Sequence, residues 1–405
     1  MFSTEFDIIL FGRGINTLTL ALECANQSRR AIIIELNDNK SQEIQEPCYI
    51  WDESLDEYPF LKGGRGNKIS EIIWKGKEKN YRLDMNDCWK LDSIKISTLL
   101  KKELDKFNIP IIKANTIKME LSEKLTVQAN QDTYTARLCT LNHNYLSNNN
   151  FKSNFNLKSI KNKEIRINNH IENVKGFPIT NDIMHINNFL VETPGHNHKY
   201  QARILSNIIY PIHESGAVIS LNWGDECNID QELKEIYLNE LCVRNWRRKR
   251  KIITVVNQIQ DRSINILNSS NIISPENRLM MLEPAIDQLN FNFFGLDLSK
   301  SFNFGKIFLK WLNNAFFKER LEWNPQTFFE AINKETEIHH DMYLNAYLTQ
   351  KLVNFLSTLD SEKIDVVISE FLYKYLKINE NINLFLKGML PQDIINDVLN
   401  NLIGI

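Results

Sequence analysis

The stretch that decides the fold runs from Phe6 to Leu36, FDIILFGRGINTLTLALECANQSRRAIIIEL. Its opening, Phe6 to Phe11, is a short apolar run of the kind that fills a strand buried on both faces of a parallel sheet. Gly12-Arg13-Gly14 follows directly. Ile15 to Cys24 then carries Leu18, Ala21 and Leu22 at helical spacing, and a polar break ends at Arg30. Ala31 to Leu36 is a second apolar strand with Glu35 at its end. Strand, glycine turn, helix, strand and terminal acid match a dinucleotide-binding fingerprint. In that pattern Gly12 permits the tight turn. Gly14 lets the backbone approach a pyrophosphate at the helix N-terminus, where the dipole favours negative charge. Glu35 accepts from ribose hydroxyls. The third glycine of the pattern is replaced by Thr17, whose side chain pushes the helix away from the strand. The plainer alternative is a βαβ unit whose glycines serve only the turn.

The composition narrows the function classes. The chain has 405 residues, 48 basic and 50 acidic side chains and a formal charge of -2, which argues against a dedicated nucleic-acid binder. Hydrophobic residues at 43% are enough for sizeable cores, and the length suits two domains or one large interrupted one. No apolar run reaches the roughly 18–20 residues needed to cross a bilayer, and no basic segment precedes an apolar stretch at the N-terminus. A cytoplasmic protein, peripheral to membranes at most, is expected. Cys24, Cys48, Cys88, Cys139, Cys227 and Cys242 are scattered, and the histidines show no HExxH, so free thiols and no metal are expected. Glycine contributes only 14 residues, about half the usual share of roughly 7%, so a surviving glycine turn carries weight.

Further along, Ile69 to Leu83 alternates like a hairpin, and Lys90 to Phe107 reads as an amphipathic helix with Ile96, Leu100, Leu104 and Phe107 on one side. Ile109 to Lys113 and Leu125 to Gln128 read as strands that extend the first sheet. Residues 141–173 are polar and read as a long loop with edge elements. Strands resume at Asn188 to Glu192, Ile204 to Pro211 and Ala217 to Trp223, with a helix from Asp230 to Arg244. Beyond residue 300 the pattern is nearly all helical. Arg244 to Lys251 is the sharpest charge feature. It is either a solvated helix end or a contact for anionic lipid, with Trp246 at the interface.

Several of these tracts together resemble the FAD-dependent carotenoid cyclase family, the bacterial lycopene cyclases. The resemblance rests on Thr17-Leu18-Thr19-Leu20-Ala21-Leu22, Tyr49-Ile50-Trp51-Asp52-Glu53-Ser54-Leu55, Ile73-Trp74 and Trp89-Lys90-Leu91-Asp92-Ser93-Ile94, with a helix-rich final third. It implies an FAD cofactor held by Gly12, Gly14, Thr17 and Glu35. It also implies a hydrophobic polyene or isoprenoid substrate lined by Trp51, Trp74 and Trp223, with Trp89 nearby, because aromatic faces stabilise a carbocation. The proton donor would be Glu226 or Asp225, with its pKa raised by burial. The sequence departs from the family in three places. Cys139 to His143 lacks the acid–glycine turn, Leu221-Asn222-Trp223-Gly224 stands where the acidic pair is expected, and Arg278 to Phe304 lacks its glycine turn. Either the flavin sits differently or it has been lost.

The expected fold is α/β: a Rossmann-like FAD-binding domain from 1–46, 89–140 and 270–320, interleaved with a mostly antiparallel substrate domain from 47–88 and 141–269, then a helical region over 321–405. The expected function is flavin-assisted cyclisation or isomerisation. The same βαβ unit serves an FAD-dependent oxidoreductase of monooxygenase type on a small aromatic or prenylated substrate equally well, or a non-catalytic binding module.

Overall fold

The computed structural model describes residues 4–36, 48–75, 79–121, 125–141, 163–171, 183–187, 204–213, 216–223, 255–263, 273–274, 279–281 and 296–313, scattered residues between 344 and 359, and 361–377 and 380–404. The βαβ unit forms as β1 (Thr4–Phe11), α1 (Ile15–Asn26) and β2 (Ala31–Leu36). Next come β3 (Cys48–Trp51), α2 (Asp52–Glu57), a 3-10 turn (Pro59–Gly64), β4 (Arg65–Lys75) and β5 (Asn80–Leu91). α3 (Ser93–Lys106) leads to β6 (Ile111–Ala114), β7 (Ile117–Leu121), β8 (Leu125–Ala129) and β9 (Asp132–Leu141). The second half supplies β10 (Lys163–Ile171), β11 (Ile183–Asn187), β12 (Ile204–His213), β13 (Gly216–Trp223) and β14 (Val255–Ser263). Short strands β15 (Ile273–Ser274), β16 (Leu279–Met281) and β17 (Leu296–Asp297) precede α4 (Leu298–Leu312). The C-terminal layer contains α5 (Ser361–Glu370), α6 (Ile382–Lys387) and α7 (Gln392–Asp397), with π-helical turns over Phe371–Tyr375 and Val398–Ile403.

The first sheet follows the order β15-β16-β9-β1-β2-β6, with β7 and β8 continuing from β9. β1 lies parallel to both β2 and β9, pairing Ile9 with Ile32 and with Cys139. Ile8, Ile9, Leu10 and Phe11 are all fully buried, as a central strand covered on both faces requires. Each such side chain contributes roughly 1.5–3 kcal/mol of burial. Leu10 and Ile33 face a core shared with α1, α3 and α4, whereas Ile9 and Ile34 face one shared with the β7–β9 meander. The expected strands at Ile109 to Lys113 and Leu125 to Gln128 are present. The first becomes β6 beside β2, and the second becomes the centre of the meander.

The second sheet has nine strands in the order β14-β10-β13-β12-β11-β4-β5-β3-β17. It is antiparallel except where β11 meets β4 and β17 meets β3. The C-terminal helices cover it, burying Trp74 and Ile72 against Phe371, Leu372 and Phe385. This is the expected α/β architecture.

Five local readings are corrected. Residues 163–171 form a strand, not part of a loop, because β13 and β14 supply backbone partners along both edges. Those partners are remote in sequence, so local composition cannot reveal them. The helix expected from Lys90 begins at Ser93. Asp92 caps it by accepting from the Ile94 and Lys95 amides at 3.1 Å each, and Lys90 and Leu91 complete β5. Phe107 is 44% exposed, since the chain has already left the helix and its apolar face there. Val366, an apolar residue expected with Ile368 and Phe371 on a covered face of the C-terminal helices, is 64% exposed, off the face on which Ile364 and Ile368 are buried. Finally, Leu296–Asp297 joins the second sheet beside β3, whereas Ile273–Ser274 and Leu279–Met281 return to the first and α4 packs on its α1 side.

Candidate functional site

The Gly12 turn sits at the carboxyl end of β1. Gly12 has φ +124, a conformation that side-chain-bearing residues rarely adopt, and its amide donates to Ile34 O at 3.1 Å. The turn is thereby tied to the end of β2, where Glu35 lies. Gly14 is the N-cap of α1 and has φ −68, which any residue tolerates, so its small size matters rather than its freedom. No side chain caps α1 and its first turn holds no acid, which leaves its leading amides and dipole to attract an anion. Thr17, in the third-glycine position, is fully buried, and its Oγ1 has no hydrogen-bond partner among the described residues. Thr140 Oγ1, two residues beyond Leu138 on β9, is in the same condition. Two unsatisfied hydroxyls beside an open helix terminus are an unusual concentration in a protein interior.

A second helix N-terminus meets the first. Ser301, in the opening turn of α4, donates through Oγ to Asn16 Oδ1 at 2.7 Å, across 285 residues of sequence. Two residues earlier, Ser299 Oγ accepts from the Trp51 amide at 3.2 Å. The start of α4 thus links α1 of the first sheet with the end of β3 in the second. α4 then runs against α1 so closely that a Cβ on Gly305 would lie 2.9 Å from Glu23 Cγ. Beneath this crossing Tyr58 donates to Glu23 Oε1 at 2.6 Å and stacks on Phe302, with ring centroids 3.8 Å apart. Burial raises the Glu23 pKa, and the hydrogen bond from Tyr58 and the charge of Lys306 offset only part of that.

Glu35 is 5% exposed, on the same face of β2 as Ile33. Lys101 of α3 brings its Nζ within 3.3 Å of Glu35 Oε1, without the alignment of a hydrogen bond. The sequence reading singled out neither Lys101 nor Ser299 and Ser301. The one available signal for the serines was the order strand, small polar residues, apolar helix between Leu296 and Leu312.

The remaining sequence candidates fall elsewhere. Trp51 and Trp74 are buried in the core between the second sheet and the C-terminal helices, where Trp74 meets Phe371 edge-on. Trp89 is half-buried, donates to Asp52 Oδ1 and lies under Arg65 and Lys68, whose charged groups are 4.8 and 5.6 Å from its ring centre. Trp223 closes β13. Asp225, Glu226 and Arg244 to Lys251 lie outside the described residues, as do Cys227 and Cys242. Cys24, Cys48, Cys88 and Cys139 are buried thiols. Among the described residues no three His, Cys, Asp or Glu side chains converge on a metal position, and no helix is long and apolar enough to cross a membrane.

The Gly12 turn and the N-termini of α1 and α4 thus lie together, with Glu35 at the end of β2 beside the turn. No protein-family profile and no curated protein matches the sequence. Solved structures do resemble the fold. A geranylgeranyl bacteriochlorophyll reductase-like protein from Thermoplasma acidophilum aligns with TM-score 0.68 and 13% identity, over 98% of this chain and 100% of that one. The flavin-dependent brominase Bmp2 aligns with TM-score 0.64 and 10% identity, over 98% of each chain. The p-nitrophenol 4-monooxygenase PnpA from Pseudomonas putida DLL-E4 aligns with TM-score 0.62 and 11% identity, over 96% of this chain and 99% of that one. The chain shares its fold with these three structures along nearly its whole length.

Proposed function

We propose that this protein is an FAD-dependent oxidoreductase acting on a small hydrophobic or aromatic substrate. The observation that carries the reading is the Gly12 turn with the uncapped N-terminus of α1, in a fold shared along nearly its whole length with a flavin-dependent brominase. Gly12, Gly14 and the first turns of α1 and α4 would hold the diphosphate through backbone amides, and Glu35 would accept from the adenosine ribose. Bound flavin supplies two-electron chemistry that no side chain offers. The protein's own contribution is to fix and shield the cofactor. The buried aromatic and aliphatic side chains around Tyr58 and Phe302 exclude water behind α4, and the Ser301–Asn16 bond keeps the two helix termini together.

Redox chemistry has more support than the cyclisation suggested by the sequence resemblance. The structural neighbours are named for reduction, bromination and monooxygenation. In addition, Trp51 and Trp74, the aromatic residues a polyene pocket would need, are engaged in core packing. The test is direct. Purified protein is denatured and released flavin quantified, and the refolded or stripped protein is titrated with FAD. Retained FAD, bleached by a nicotinamide reductant, supports the reading. Protein that carries no flavin and binds none on titration overturns it.

A further inference from the structure

We infer that Lys101 is a positioning residue for the dinucleotide site, orienting the buried carboxylate of Glu35 toward the adenosine ribose. This rests on the reading of the Gly12 turn as a dinucleotide site, and it brings in a residue from outside the βαβ unit.

Glu35 is a carboxylate that is 5% exposed at the carboxyl end of a central strand. An isolated charge there would be strongly disfavoured, and removing the partner of a buried ion is far costlier than losing a surface pair. Lys101 Nζ stands 3.3 Å from Oε1, and its side chain is 33% exposed, so its stem runs along the protein while the ammonium reaches inward. Lys113, which faces Glu35 across the β2–β6 register, is exposed, and among the described residues Lys101 is the cation paired with the buried carboxylate. Oε1 itself is buried beside the ammonium, so Lys101 holds the carboxyl group from its inner side. The helix that carries Lys101 is locked in place by Ile96, Leu100 and Leu104, all buried in the α1 core. α3 therefore presents the ammonium to Glu35 from a rigid support.

The test uses the full chain and three probes: FAD, ADP and FMN. ADP carries the adenosine ribose and diphosphate without a flavin, and FMN carries the flavin without adenosine. Lys101→Met is expected to weaken FAD and ADP binding about tenfold, equivalent to roughly 1.4 kcal/mol, with FMN binding unchanged. Lys101→Arg should restore binding to within about threefold, since it keeps the charge. Glu35→Gln should show the same loss, and the double variant should be no weaker than the weaker single one, as expected of residues acting as a unit. If Lys101→Met does not fold, Lys101→Gln, which retains polarity without the charge, takes its place. Additive losses, an equal loss for FMN, or unchanged ADP affinity would each overturn the assignment. Wild-type protein that binds ADP in a Lys101-dependent way but no flavin would overturn the oxidoreductase reading and leave the role of Lys101 standing. Wild-type protein that binds neither overturns both.

Discussion

Glu23 and Asp52 show how differently the two halves of the molecule treat an acid. Glu23, on α1 beneath the first sheet, is buried, and its nearest donor is the neutral Tyr58 hydroxyl. Burial dominates, and its pKa is raised. Asp52, at the end of β3 in the second sheet, has its side chain 38% exposed and receives hydrogen bonds from Lys68 at 2.8 Å and from Trp89. Burial pulls its pKa up as well, but those two bonds and the charges of Lys68 and Arg65 outweigh that pull and hold the carboxyl below its ordinary range. The first half spends its polar groups inside helix crossings, around a glycine turn and an uncapped helix terminus. The second half keeps them at a wet edge where cations can reach. An acid's neighbours, not its burial alone, decide the sign of its pH response.

The largest expected effect comes from the turn. Gly12→Val forces a branched side chain into φ +124 and should abolish flavin retention while costing several kcal/mol of stability. Gly14→Val keeps an allowed φ of −68, so it should lose flavin with a nearly normal melting curve. Equal flavin content in folded Gly14→Val and wild-type protein would break the assignment of the first half as the cofactor-binding half. Gly388→Ala probes the other half. Gly388 has φ +68, and its Cβ would sit 2.8 Å from Lys300 Nζ. A loss of about 1–3 kcal/mol in denaturant melts is expected, with flavin affinity unchanged if the C-terminal layer is only a scaffold.

The two acids then give a pair of smaller effects with opposite slopes. Because the folded-state pKa of Glu23 is raised above 4.5, its contribution is full below that value and is lost as pH rises through the folded pKa. Glu23→Gln keeps an acceptor for Tyr58 and removes the buried charge. It should therefore stabilise the protein by about 1 kcal/mol at pH 8 and by nothing measurable near pH 4. For Asp52 the folded pKa lies below 3.8, so its contribution is present above that value and is lost as pH falls through the folded pKa. Asp52→Asn should cost under about 1 kcal/mol at neutral pH, because the pair is partly exposed and screened, and the cost should vanish at low pH. Thermal melts of both variants from about pH 2 to pH 8.5, with Trp89 fluorescence reporting on Asp52, check the comparison. Parallel slopes would mean that the two environments are not distinct.

Much of the first half was legible because its information is local. The order of Phe11, Gly12, Gly14, Ile15 and Glu35 specifies strand, turn, helix and acid from turn chemistry and apolar period alone, and the chain between them is too short to do otherwise. The β4–β5 hairpin and the buried Ile96, Leu100 and Leu104 of α3 were equally readable from alternation and helical spacing. Lys101 beside Glu35, Ser301 on Asn16 and Tyr58 on Glu23 were not. A lysine on a helix face or a serine at a helix start has the same local signature whether it faces water or a buried partner. β10 was missed for the related reason that a polar strand is held by backbone ladders to β13 and β14, which any sequence can form once its neighbours are in place. Local sterics and periodicity determine which elements exist. Long-range packing decides which polar groups meet at the ends of those elements, because closing such loops depends on the whole core being formed.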